Sequence, residues 1–156
     1  MHTIRLRGPW QLEPLERYEF GGDGRCKRLS QGMPANARST MPTDWSSAFG
    51  AEFCGRVRYH RVFQSPTGLD SGERVWLVVE PPRSHGAVKL NGKPLGDVSW
   101  SGPHFRWDIT DLLDDHNRLE IVVEHPPLDG DSVANDDSDI NRPGGLVGEV
   151  RLEIEE

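Results

Sequence analysis

The feature that most constrains this chain is an alternation of apolar and polar residues with a period of two. Val75, Leu77 and Val79 point one way, and Arg74, Trp76, Val78 and Glu80 the other. Phe105, Trp107 and Ile109 alternate with His104, Arg106 and Asp108. Leu119, Ile121 and Val123 alternate with Glu120, Val122 and Glu124, and Val150, Leu152 and Ile154 with Glu149, Arg151, Glu153 and Glu155. One apolar face on every second residue marks a half-buried antiparallel strand, and stacking two sheets buries such faces. A further strand carries Val57, Tyr59 and Phe63 on one face. Arg61 interrupts that face, so it must find a partner or lie near a sheet edge. The expected fold is an all-β antiparallel sandwich of about eight strands with jelly-roll topology.

The connections agree with this reading. The chain holds 17 Gly and 12 Pro, punctuation suited to short strands and turns. Asn91-Gly92 follows Val88-Lys89-Leu90 and is a strong hairpin signal, since both residues tolerate positive φ. Thr110 is placed to cap one helical turn through Leu112 and Leu113, ending near Asn117. Gly21–Trp45 and Pro126–Gly145 read as irregular. The second stretch carries Asp129, Asp131, Asp136, Asp137 and Asp139 with little apolar content.

Size and charge narrow the function. The 156 residues fit one domain, spanning residues 1–156, and fall short of the roughly 250 that a complete TIM barrel needs. A net charge of −7 argues against a nucleic-acid partner, because phosphate binding needs clustered Lys and Arg. The longest apolar run, Val75–Val79, is far below the roughly 20 residues of a membrane-spanning helix, so no membrane partner is expected. Met1-His2-Thr3-Ile4-Arg5-Leu6 is followed by no apolar signal-peptide core, and as written the chain is expected in the cytoplasm. Cys26 and Cys54 read as two free thiols, and they can pair only if their Cα atoms come within about 7 Å.

A set of short motifs runs through the chain in a fixed order. Gly8-Pro9-Trp10 comes first, then Met41-Pro42-Thr43-Asp44-Trp45, then Tyr59-His60-Arg61-Val62-Phe63. Val88-Lys89-Leu90-Asn91-Gly92-Lys93-Pro94-Leu95-Gly96 follows, then Phe105-Arg106-Trp107-Asp108-Ile109-Thr110-Asp111-Leu112-Leu113. Pro143-Gly144-Gly145-Leu146-Val147-Gly148-Glu149-Val150 opens the last strand. In order and spacing these resemble the N-terminal sugar-binding domain of glycoside hydrolase family 2, which includes β-galactosidases, β-glucuronidases and β-mannosidases. The resemblance implies a galactose-binding-like jelly roll. Val147-Gly148 departs from it, replacing the usual Tyr-Arg after Gly-Gly-Ile.

The same resemblance bears on catalysis. In that family the acid/base and nucleophile glutamates sit on a separate barrel. A retaining glycosidase needs two carboxyl groups about 5–5.5 Å apart, one with a raised pKa. Glu120, Glu124, Glu149 and Glu153 lie instead on polar strand faces. The expected function is therefore a non-catalytic carbohydrate-binding or accessory module, with no cofactor. The alternative is a structural docking subunit or fragment of a glycosidase whose catalytic barrel is on another chain.

A sugar site needs an aromatic platform and planar hydrogen-bonding groups. Trp100, His104 and Arg106 form the best local set for carbohydrate binding. Asp137, Asp139, Asn141 and Arg142 join it, because their segment enters the final strand. The competing reading has Trp100 covering the sandwich rim and Arg106 pairing with a neighbouring acid. Trp107 reads as core, and Trp76 as either a second apolar layer or an exposed docking contact. No metal site is expected. Asp137-x-Asp139-x-Asn141 opens like a calcium loop, but Arg142 replaces the needed Gly and Gly148 the bidentate Glu. The six His show no ligand spacing.

Overall fold

The computed structural model describes residues 1–20, 26–100, 104–126 and 143–156. Among them are eleven strands. They are β1 (His2–Arg5), β2 (Trp10–Phe20), β3 (Cys26–Leu29), β4 (Ala37–Ser39), β5 (Cys54–Gln64), β6 (Arg74–Val79), β7 (His85–Leu90), β8 (Lys93–Ser99), β9 (Phe105–Asp108), β10 (His116–His125) and β11 (Val150–Glu155). A short helix, α1 (Ser46–Phe49), precedes β5, and a 3-10 turn covers Thr110–Leu112. The small sheet runs β1-β11-β6-β9. The large sheet runs β3-β2-β5-β10-β7-β8, with β4 also on β2. All pairings between these strands are antiparallel, and the two sheets form the expected sandwich.

The alternation sets the register. Leu77 sits opposite Leu152 and Trp107 in the small sheet, and Ile121 opposite Tyr59 and Val88 in the large one. These rows meet in one apolar core, in which Tyr59, Leu77 and Ile121 are fully buried. Trp107 packs against that core. Arg61 meets the condition its place in the pattern imposed. Pairing of β5 with β2 ends at His60–Gln11, so Arg61 lies where that side of β5 is open. It is half-buried, and its Nη1 has no hydrogen-bond partner among the described residues.

Three local expectations need correction. The stretch Gly21–Trp45 contains β3 and β4, both added to β2 by short antiparallel pairings. Each is only three or four residues long, too short to show a period. The helical turn after β9 stops at Leu112 rather than near Asn117. Leu113 is already extended, and the Asp114 N–H donates to Asn117 Oδ1. Thr110 does not cap that turn. Its hydroxyl donates to Asp108 and accepts from the Val75 N–H, tying the turn to β6. Hydrogen bonds from Thr110 and the Arg74 guanidinium together hold the Asp108 carboxyl below its ordinary pKa. His125, at the end of β10, is buried.

Cys54 is a free thiol whose pKa is pushed up by burial, while residues 21–25 beside Cys26 lie outside the described set. Among the described residues no helix is long and apolar enough to cross a membrane.

Candidate functional site

One end of the sandwich is built around Trp45. Its ring is fully buried, and Nε1 donates to the Phe53 carbonyl at 3.1 Å. The ring meets Phe53 edge-on at 5.3 Å and His125 at 6.4 Å. Its backbone N–H donates to Gly144 O at 3.0 Å, and the Thr43 N–H to Leu146 O at 3.2 Å. Two neighbouring residues here must be glycine. A Cβ on Gly144 would sit 2.6 Å from both His125 and the Trp45 ring. Gly145 has φ +125°, and a Cβ there would lie 2.8 Å from the Tyr59 hydroxyl. The Pro-Gly-Gly motif is thus a close packing device against Trp45, His125 and Tyr59. Burial raises the Tyr59 pKa. Ser84, at φ 70°, places its hydroxyl against His125 Nδ1.

Trp100 reaches this end through Arg83. The Arg83 guanidinium lies over the Trp100 ring, 5.6 Å from its centroid. The same side chain donates to Pro143 O, and the Arg83 N–H donates to Gly145 O at 3.1 Å. The Trp100 N–H donates to Ser84 O at 2.9 Å. Trp100 stays 44% exposed. It is therefore joined through one residue to the segment that follows Arg142. Asp137, Asp139, Asn141 and Arg142 themselves lie outside the described residues.

His104 and Arg106 go elsewhere, to the outer face of the small sheet. Arg106 bonds Glu155 at 2.7 Å and Glu153 at 3.5 Å, and its guanidinium stacks 3.8 Å above the Trp76 ring. This is the pairing with a neighbouring acid weighed against sugar contact. It also leaves Trp76 half-buried rather than an open strip. Val78, between Arg106 and Arg151 in register, is 1% exposed beneath these stems. His104 lies 3.9 Å from Glu80, and its Nδ1 is 3.4 Å from the Arg151 guanidinium. Arg151 also bonds Glu80, Glu149 and Glu153. The four glutamates each meet a basic side chain: Glu120 meets Arg118, Glu124 meets His85, Glu149 meets Arg5, and Glu153 meets Arg151. Among the described residues no cluster of His, Cys, Asp and Glu is arranged to hold a metal.

The Arg106–Trp76 stack has a measurable consequence. In a double-mutant cycle of Arg106→Ala and Trp76→Ala, chemical denaturation should give a coupling energy of about 0.5–1 kcal/mol. Strict additivity would mean that the stacking contributes nothing to stability.

Sequence reasoning missed His125, Tyr59 and Arg83 as parts of this end. His125 and Tyr59 belong to alternating strands and carry no local sign of their common neighbour. The available sign was the pair Gly144-Gly145, which marks a close backbone approach.

Fold and geometry define the class: a galactose-binding-like jelly-roll sandwich with its loop end packed around a buried tryptophan. Within that class the chain is similar to part of several glycosidases, a family 2 enzyme among them. An FMN-binding β-glucuronidase from Facaelibacterium prausnitzii L2-6 superposes with a TM-score of 0.73 at 26% identity, over 98% of this chain and 22% of that one. A family 2 β-galacturonidase from Eisenbergiella tayi gives 0.70 at 19%, over 97% and 24%. A rhamnosidase from Novosphingobium sp. PP1Y gives 0.62 at 23%, over 99% and 15%. The chain spans about a quarter of the length of the first two. No protein-family model matches the sequence, and no curated protein matches it.

Proposed function

We propose that this chain is a non-catalytic carbohydrate-binding or accessory module. The observation that carries the reading is the superposition of nearly the whole chain on a β-glucuronidase at 26% identity. The site we assign is the rim at Trp100. Its exposed ring supplies a face for pyranose C–H groups. Asp137, Asp139, Asn141 and Arg142 supply hydrogen bonds to hydroxyls. The Arg83 links from Trp100 to Pro143 and Gly145 support that grouping. His104 and Arg106, bonded to Glu80, Arg151, Glu153 and Glu155 on the outer face of the small sheet, are left out of this site.

The matched structures include a β-glucuronidase and a β-galacturonidase, so glucuronate and galacturonate are the first probes. Calorimetric titration should give saturable, millimolar-range binding without turnover. Trp100→Ala should weaken it about tenfold, the loss of roughly 1.4 kcal/mol of contact. No heat with either sugar, or hydrolysis of a chromogenic glycoside by the purified chain, would refute the reading.

A second reading has one observation in its favour. The chain spans only about a quarter of the glycosidases it matches, which suits a module docking on a catalytic domain carried by another chain. Co-elution with such a protein in size-exclusion chromatography of the native source would select it.

A further inference from the structure

We propose a second carbohydrate site on the outer face of the large sheet: a cleft that takes an extended, neutral oligosaccharide lying across the strands. The proposal rests on the carbohydrate-binding reading above and adds to it a location and a ligand class. The cleft has a volume of about 530 Å³. Its lining includes a row of acidic and basic side chains, each from a different strand. Glu16 on β2 lies opposite Arg56 on β5, Arg56 opposite Glu124 on β10, and Glu124 opposite His85 on β7. Arg28 on β3 extends the row, with its Nε 3.2 Å from Glu16. Neighbouring strands are about 4.8 Å apart, so acceptor and donor alternate at that interval.

The row is held in place. Glu16 receives the Tyr18 hydroxyl at 2.7 Å, as well as Arg28 at 3.2 Å and Arg56 at 3.8 Å. Tyr18 is 4% exposed. Burial and the bond to Glu16 push its pKa up, so the phenol stays protonated and donating. His85 lies 3.8 Å from Glu124 at the other end. Between the charges the floor is low and apolar. Val122 and Ala87 face each other in register, and neither projects far from the sheet. At the β8 end the lining reaches Ser99, the residue before Trp100.

The chemistry of the cleft selects among ligands. A polyanion would meet Glu16, Glu124 and Asp97 as well as the cations. An extended peptide would find no free backbone edge, because β5, β10 and β7 are each paired on both sides. A polyol both donates and accepts, so it can bond a carboxylate and a guanidinium in succession. Its C–H faces can rest on Ala87 and Val122.

The test is an NMR titration of the full chain, with its alanine and valine methyls and its tryptophan indole N–H groups labelled. The probes are cellohexaose, xylohexaose and mannohexaose, beside glucuronate. At least one hexasaccharide should shift the Ala87 and Val122 methyls saturably, and its monosaccharide should bind about tenfold more weakly. Ala87→Arg, which fills the floor, should abolish the shift of the remaining Val122 methyl. Arg56→Met, at an exposed position, should weaken binding about tenfold through one lost charged hydrogen bond. Both variants should leave glucuronate binding at Trp100 unchanged. If glucuronate perturbs Trp100 while all three hexasaccharides leave Ala87 and Val122 unshifted, the cleft proposal fails alone. If neither glucuronate nor any hexasaccharide produces a shift, both readings fail. Shifts that survive both variants also overturn the cleft.

Discussion

Trp45→Ala should destabilise the chain by about 3–5 kcal/mol, the range for removing a large buried aromatic. That is a sizeable fraction of the 5–15 kcal/mol that holds a typical domain together. The expectation rests on what the indole touches. Its ring is fully buried, and its Nε1–H is satisfied only by the Phe53 carbonyl. Its edge supports His125 and Phe53, and its face lies where a Gly144 Cβ would be. The cavity left by alanine cannot collapse easily, because two sheets and the Pro143-Gly144-Gly145 segment fix its walls. In urea the midpoint should fall while the slope stays the same, as for a loss of stability without a change in the unfolded state. Trp45→Phe should recover part of the loss, since it refills volume but leaves the Phe53 carbonyl without its donor. A Trp45→Ala midpoint within experimental error of the parent would show that the tryptophan is not a structural centre of this end.

How much of this was legible in the sequence differs between the sheets and the loop end. The strands β6, β9, β10 and β11 could be read from period-two patterns in their residue types, and β10 and β11 do bury every second residue, whereas in β6 Val78 on the other face is buried as well. Asn91 and Gly92 have φ of 51° and 81°, as their hairpin signal required. Trp45 was not legible. It stands among Pro, Thr, Asp and Ser, where no period exists, and two of its partners, His125 and Gly144, come from far away in sequence. The sugar site divides in the same way. Trp100 could be picked out as an aromatic at a strand end. That Arg106 would lie on Trp76 depends on β6 pairing with β9, and a single strand's pattern does not give its neighbour. The charged row across the large sheet is harder still. Glu16, Arg56, Glu124 and His85 are ordinary polar-face residues until the strand order β2-β5-β10-β7 aligns them.

Asn117→Ala should cost about 2–4 kcal/mol, a large effect for so small a side chain. Asn117 is 1% exposed. Its amide donates to Asp114 O at 2.9 Å, Ser65 Oγ at 3.2 Å and Phe63 O at 3.4 Å. Its Oδ1 accepts from the Asp114 N–H at 2.8 Å and from Asn91 Nδ2 at 3.0 Å. It thereby ties the start of β10 to the end of β5 and to the β7–β8 turn. Alanine removes the partner of the Phe63 carbonyl, in a buried residue, and of the half-buried Ser65 and Asn91, and an unsatisfied buried group costs about 1–3 kcal/mol. The partner at the turn allows a sharper test. Asn91 also donates to Leu112 O at 3.2 Å and accepts from the Arg118 N–H at 2.8 Å. Asn91→Gly keeps the backbone conformation of the turn while removing those bonds. If the two asparagines work as one network, the double variant should lose less than the sum of the single losses, by about 0.5–3 kcal/mol. Simple additivity in denaturant midpoints would mean that the corner is held by two independent contacts, and that the bond between their side chains adds nothing.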